Sequence, residues 1–183
     1  MPRHRQFVVA AAQRDDHGRG ALAERFVANL PEATRELHSD WVGLAIGAHE
    51  LRLTDGRRAR DFGPGAAVFD LPLAPSGDIA YAGDHDTAAW LTRLGLVPRE
   101  MVDTPGLVVA RTIAMLINEA ADAVQQGVCD EAGADAAMKL GVNYPAGPFE
   151  WLAFWGPEAI VALLDRLDHH YRGERYRVSP YLK

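Results

Sequence analysis

The sequence has one cysteine, Cys129, among 183 residues. A single cysteine excludes an internal disulfide, and no histidine or second cysteine stands at metal-ligand spacing from it. That usage suits a reducing compartment, and the expected location is the cytoplasm. Long apolar runs are also missing. No stretch approaches the roughly 20 apolar residues of a membrane span, so no membrane partner is expected. Residues 1–12 have too short an apolar part for a signal peptide and run straight into Arg14, Asp15 and Asp16. Their apolar stretch reads as a buried strand instead. Basic excess is absent too. The formal net charge is -6 and neither sign forms a long run, which argues against a nucleic-acid partner held through its phosphates. There are no repeats and no low-complexity segments.

What is present is apolar material. Hydrophobic residues make up 48% of the chain, enough for a real core in one large domain or two small ones. The first half alternates short apolar runs with turn signals. Residues 7–12 predict a buried strand, and 20–30 a helix with Leu22, Phe26, Val27 and Leu30 on one side. Further strands are expected at 41–46, 49–53, 66–71 and 98–102, with a short helix at 86–94. Asp55-Gly56 marks a turn after the run 49–53. Strands separated by helices predict a small α/β unit.

The character changes after Asp103. Residues 106–126 carry one apolar stripe at Leu107, Ala110, Ala114, Ile117, Ala121 and Val124, and a second at Val109, Ile113, Leu116 and Ala120. A helix this apolar must be covered on more than one side, which predicts a homodimer through the helical half. Pro105 precedes it and Gly127 follows it, the expected asymmetry of helix ends. Helices are also expected at 130–140, 148–154 and 157–171, with a rigid connector at 143–148. The division is therefore 1–103 and 104–183.

Two segments carry a family resemblance. One is Asp103-Thr104-Pro105-Gly106-Leu107-Val108-Val109-Ala110-Arg111, running on to Asn118-Glu119-Ala120. The other is Lys139-Leu140-Gly141 followed by Pro145-Ala146-Gly147-Pro148-Phe149-Glu150. Together they resemble the helical C-terminal domain of 3-hydroxyacyl-CoA dehydrogenases, and the tail from Gly173 to Pro180 is similar to that family's ending. The stretch from Ser39 to Arg57 resembles the degenerate second unit of the tandem dehydrogenases of phenylacetate-type degradation. The implied fold is a truncated, Rossmann-like α/β part followed by an all-α domain.

The resemblance also implies what a complete member needs. A glycine-rich turn must bring a helix N-terminus to the NAD pyrophosphate. Gly18-Arg19-Gly20-Ala21-Leu22-Ala23 fits the letter spacing, but five polar residues, Gln13 to His17, separate it from the strand, and Asp40 precedes its apolar run instead of closing it. A catalytic His–Glu pair is needed, yet the region corresponding to the family's His-Phe-Phe-Asn-Pro is Ala67-Val68-Phe69-Asp70-Leu71-Pro72. His85 and Glu100 lie outside that context. The family's asparagine position is Ala110. About 100 residues precede the helical half, fewer than a full dinucleotide domain uses.

The expectation is thus no cofactor, where the family uses NAD, and no catalytic or metal residues. Ala110, Asn118 and Lys139 are the candidate substrate-facing positions, Lys139 for a CoA phosphate. Asn118 and Glu119 read first as a buried polar network, ahead of a substrate role, and Lys139 reads also as a solvated helix end. His49, His169 and His170 read as surface residues, and Asp78, Asp84 and Asp86 as loop and N-cap residues. Phe149, Trp151, Phe154 and Trp155 read as core aromatics. The functional expectation is a non-catalytic family member serving subunit association, with acyl-CoA or a full-length dehydrogenase as possible partner. The rival is an active NAD-dependent enzyme, alone or completed by a separate cofactor-domain chain.

Overall fold

A computed structural model describes residues 8–10, 18–30, 33–36, 40–74, 76–84 and 86–183. The first half forms β1 (Val8–Ala10), α1 (Gly18–Asn29), β2 (Thr34–Glu36), β3 (Gly43–Ile46), β4 (His49–Leu53), β5 (Ala66–Phe69), β6 (Gly77–Gly83), α2 (Thr87–Arg93) and β7 (Leu96–Glu100). The second half is helical: α3 (Val109–Gln125), α4 (Glu131–Val142), α5 (Pro148–Trp155) and α6 (Pro157–Tyr171), then two short 3-10 turns. An α/β part followed by an all-α part is the expected class. Among the described residues no helix is long and apolar enough to cross a membrane.

The seven strands among the described residues lie in the order β2-β1-β3-β4-β5-β6-β7. The pairs β1–β2, β4–β5 and β6–β7 are parallel, and the other three antiparallel. A doubly wound dinucleotide sheet is mostly parallel; this one is mixed because hairpins interrupt the crossovers. The tightest is β3–β4, where Gly47 takes φ +61 ahead of Ala48, as the first central residue of a II′ turn requires.

Two strands escape the sequence reading. β2 is Thr-Arg-Glu, which has no strand signature. β6 alternates inward Ile79 and Tyr81, but the flanking glycines and Asp78 hide the pattern. The last strand runs from Leu96 to Glu100, two residues earlier than 98–102, and Pro98 is tolerated because β7 is the sheet's edge. Residues 7, 11 and 12 of the expected first strand fall outside the described residues.

One hydrophobic cluster runs through both halves. Leu22, Phe26, Leu44, Leu51 and Phe69 share it with Ile113, Ile117, Trp155, Leu163 and Leu167. On α3 the buried positions Ala110, Ile113, Ala114, Ile117, Asn118 and Ala121 recur at helical spacing. Val109 and Leu116 of the second stripe pack against the main cluster, and Ala120 and Val124 against a smaller one with Ala134 and Phe149. Both stripes of α3 are therefore covered by this chain itself, through α4, α5, α6 and the folded-back tail. The inference that they call for a second subunit is corrected: Ile117 is fully buried, so Ile117→Glu attacks the fold and not an interface.

Candidate functional site

The site begins where β5 meets α3. Asp70 follows β5 and is fully buried. Its carboxylate accepts the N–H groups of Val108 (2.8 Å), Val109 (2.7 Å) and Ala110 (2.7 Å), and that of Leu71 (2.9 Å). The first amides of a helix lack intrahelical partners, so a carboxylate there is stabilising. Burial pushes the Asp70 carboxyl up, while the four N–H bonds pull against that rise. Ala67 and Ala110 flank this junction at 1% and 0% exposure.

Further along α3, buried Asn118 fastens the tail. Its Nδ2 donates to the Arg177 carbonyl at 2.9 Å, and its Oδ1 accepts the Ser179 N–H at 2.8 Å. Lys139, on the exposed side of α4, pairs with Glu150. The Glu150 carboxylate holds the Lys139 ammonium above its usual range. Glu150 also accepts the Gly147 N–H at 2.9 Å, and Asp135 accepts that of Phe149 at 2.7 Å, so two carboxylates cap α5 behind Pro148. Gly147 is required here: a Cβ would stand 2.3 Å from the Asp135 carboxyl carbon.

A cleft of about 180 Å³ lies between the end of β4 and α6. Arg52 stacks over Trp41 and Phe62, with its guanidinium carbon 4.3 and 4.6 Å from the ring centres, and Arg57 also lies over Phe62 at 4.3 Å. Asp55 takes both Arg57 (2.6 Å) and Arg166 of α6 (3.0 Å), and Arg166 also donates to the Asp55 carbonyl at 2.8 Å. Asp40, Asp55 and Glu158 balance Arg52, Arg57 and Arg166 around this cleft, which joins sheet to helix more than it attracts charge. A second hollow of about 290 Å³ sits between α1, residues 72–74 and α5. Trp155 borders both, and its indole N–H is buried without a hydrogen-bond partner among the described residues.

Burial raises the Asp55 carboxyl, but hydrogen bonds from Arg57 and the charges of Arg166 and Arg57 outweigh it and hold the group below the ordinary range. A depressed carboxyl adds stability above its unfolded pKa, and that stability is lost as pH falls through the folded value. Asp55→Asn should therefore melt below wild type at neutral pH, and the gap should close as melts are taken below about pH 4. A gap that persists undiminished into strong acid would assign the effect to packing.

Residues 106–183 match the family profile described as 3-hydroxyacyl-CoA dehydrogenase, C-terminal domain. Over those residues the chain is similar to that family's helical domain. It is 48% identical over 94 residues to the 3-hydroxyadipyl-CoA dehydrogenase of Escherichia coli (strain K12), covering 51% of this chain and 20% of that one. It is 34% identical over 107 residues to a probable 3-hydroxybutyryl-CoA dehydrogenase of Deinococcus radiodurans, covering 56% and 38%. The crystal structure of 3-hydroxybutyryl-CoA dehydrogenase from Escherichia coli K12 superposes with a TM-score of 0.69 at 36% identity, over 80% of this chain and 33% of that one. The matched part thus spans well under half the length of these relatives.

In the helical half, which matches that profile, the three candidate substrate-facing residues are not brought together. Ala110 is in the core at the first turn of α3, Asn118 is about 12 Å further by helical rise, and Lys139 is on the surface. Glu119 is exposed. Gly18 and Gly20 lie within α1 itself, and the missing Cβ of Gly18 makes room for the Phe154 ring. His49 pairs with Asp84 at 3.0 Å, and His169 and His170 are exposed at the end of α6. His85 and residues 13–17 lie outside the described residues. Asp78 is a strand residue paired with Arg99 instead of a loop residue, and Asp86 occupies the N-cap position of α2 without a capping bond. Phe149, Trp151 and Trp155 are buried, but Phe154 is half exposed, edge-on to Trp155. Among the described residues no group of three His, Cys, Asp or Glu could hold a metal. The sequence reading missed Asp70 and the Asp55–Arg166 joint. The only available signal for Asp70 was an aspartate ending an otherwise apolar strand.

Proposed function

We propose that this chain is a non-catalytic member of the 3-hydroxyacyl-CoA dehydrogenase family whose helical half serves subunit association. Its first 103 residues are then a worn dinucleotide-binding unit, akin to the second unit of the tandem phenylacetate-type dehydrogenases. The superposition over 80% of the chain supports that part of the reading. The observation that carries the whole is the β5–α3 junction. Where the resemblance places a histidine stretch and an asparagine, this chain has residues 67–72, which hold no imidazole, and buried Ala110. Oxidation of a 3-hydroxyl needs a base to take its proton as hydride leaves. The carboxylate at the junction is already engaged by four N–H groups, two from α3 and one from the residue that caps it. Asn118 and Lys139 are committed to the tail and to Glu150. The test is NADH formation from 3-hydroxybutyryl-CoA and NAD, with a parallel NADH fluorescence titration. Neither turnover nor saturable binding is expected, and either one would overturn the reading.

Association is proposed to involve the exposed apolar side chains around α4, Leu140 at 86%, Val142 at 56% and Val128 at 74% exposure. A second copy or a full-length dehydrogenase would cover some of these side chains, Leu140 first among them. Leu140→Glu should weaken self-association in sedimentation by at least about tenfold while leaving the melt unchanged, because truncating an interface anchor typically costs more than 1 kcal/mol. A wild type that stays monomeric, alone and mixed with a full-length relative, would refute the assignment.

A further inference from the structure

The chain passes from sheet to helices through residues 101–108, and that passage is held at three points. Asp103 accepts the N–H groups of Ala59 (2.7 Å) and Arg60 (3.2 Å) and pairs with the Arg60 guanidinium at 2.9 Å. Gly106 and Leu107 both take positive φ, +70 and +45. For a leucine that conformation is uncommon and persists only where its surroundings over-determine it. Those surroundings are visible. The Leu107 side chain is buried against Ala59, Val68 and Ala82, and its carbonyl accepts two bonds from the Arg111 guanidinium, at 3.1 and 2.5 Å. The next three amides all end on the Asp70 carboxylate.

We propose that Gly106–Leu107 is a strained hinge and that the Asp70 carboxylate is its latch, fixing the placement of the helices on the sheet. The chemistry is specific to a carboxylate. Two oxygens with about four acceptor sites meet four N–H donors. An asparagine offers one acceptor oxygen and turns an NH₂ toward donors, and an alanine leaves the helix start dry and unpaired. With the latch gone, the leucine relaxes toward ordinary φ and the first turn of α3 lifts from β5. This holds whether or not the chain oxidises any substrate.

Hydrogen exchange followed by mass spectrometry tests it on the full chain. In Asp70→Ala, exchange should rise about 100-fold in peptides covering 70–74 and 104–113, the local opening expected when several charge-assisted bonds are lost together. Peptides from the β3–β4 hairpin and from α4 should change several-fold at most. Asp70→Asn should show the same local pattern at smaller amplitude. Equal acceleration everywhere would make Asp70 one core contact among many, and no acceleration would remove the latch. Should Asp70→Ala fail to fold, wild-type NMR decides. The amides of Val108, Val109 and Ala110 should be shifted downfield and slow to exchange, and rapid solvent exchange at those three overturns the proposal.

Discussion

Asn118→Ala should melt about 5–15 °C below wild type, and its last residues should become open to carboxypeptidase. Asn118 is 2% exposed and satisfies two backbone groups of a tail segment in which Ser179 is fully buried. Alanine removes the partners of both. A buried donor or acceptor left unmade costs about 1–3 kcal/mol, so two such losses come to about 2–4 kcal/mol after partial relaxation. In a chain of this size each kcal/mol moves the melt by about 2–4 °C. The tail also covers α3: Tyr176 and Val178 belong to the main core, and Tyr181 reaches Glu131 at 2.8 Å. Freed, it uncovers part of the stripe that would otherwise need a partner. A shift under about 1 °C would mean that water readily replaces the side chain.

Ala110→Asn should destabilise at least as strongly and confer no dehydrogenase activity. In an active relative an asparagine here would be worth a large factor in rate, since one transition-state hydrogen bond typically contributes about 10²–10³. Groups that act as one unit are strongly non-additive, however, and the stretch that resembles the family's histidine segment, residues 67–72, holds no imidazole. Position 110 is fully buried, its N–H is held by Asp70, and Ile113 and Ala114 follow it on the same face. The larger side chain overpacks the junction at about 1–3 kcal/mol, and its unpaired amide adds about 1–3 kcal/mol. The check is a thermal melt beside an NADH-formation assay on both proteins. Activity in the mutant alone would show that only one part of the machinery had been lost, and activity in wild type would reveal a site of different composition.

The helices were legible because their signals are local. Pro157 and the end at Tyr171 bound α6 as read, and the spacing of Ala110, Ala114, Ile117 and Ala121 marks the buried face of α3. Strands β3 and β4 were legible for the same reason, though their pairing as a hairpin was not read. What was not legible depends on residues far apart in sequence. β2 exists because β1 offers an edge for it, not because Thr-Arg-Glu favours extended backbone. Asp70 reads as a flaw at the end of an apolar run until the amides 38 to 40 positions later are placed against it. Arg166 meets Asp55 across 111 positions. The α3 stripes misled for a related reason. Periodicity says that a face is covered and leaves open by what, and the cover is the tail of the same molecule.

The shared core has an evolutionary consequence. Phe26 and Phe69 from the sheet side pack in the same cluster as Ile117, Leu164 and Leu167 from the helices. If an ancestral cofactor unit has decayed here, its residual strands are the lid that keeps α3 and α6 out of water. A lineage could let the chemistry of the glycine turn and of the histidine drift while the segment keeps a packing role, as Gly18 does against the Phe154 ring. It could not delete the sheet without exposing the helices. Decay of chemistry and retention of scaffold would then proceed at different rates within one stretch of gene, the boundary between them being drawn residue by residue at the apolar face of each strand.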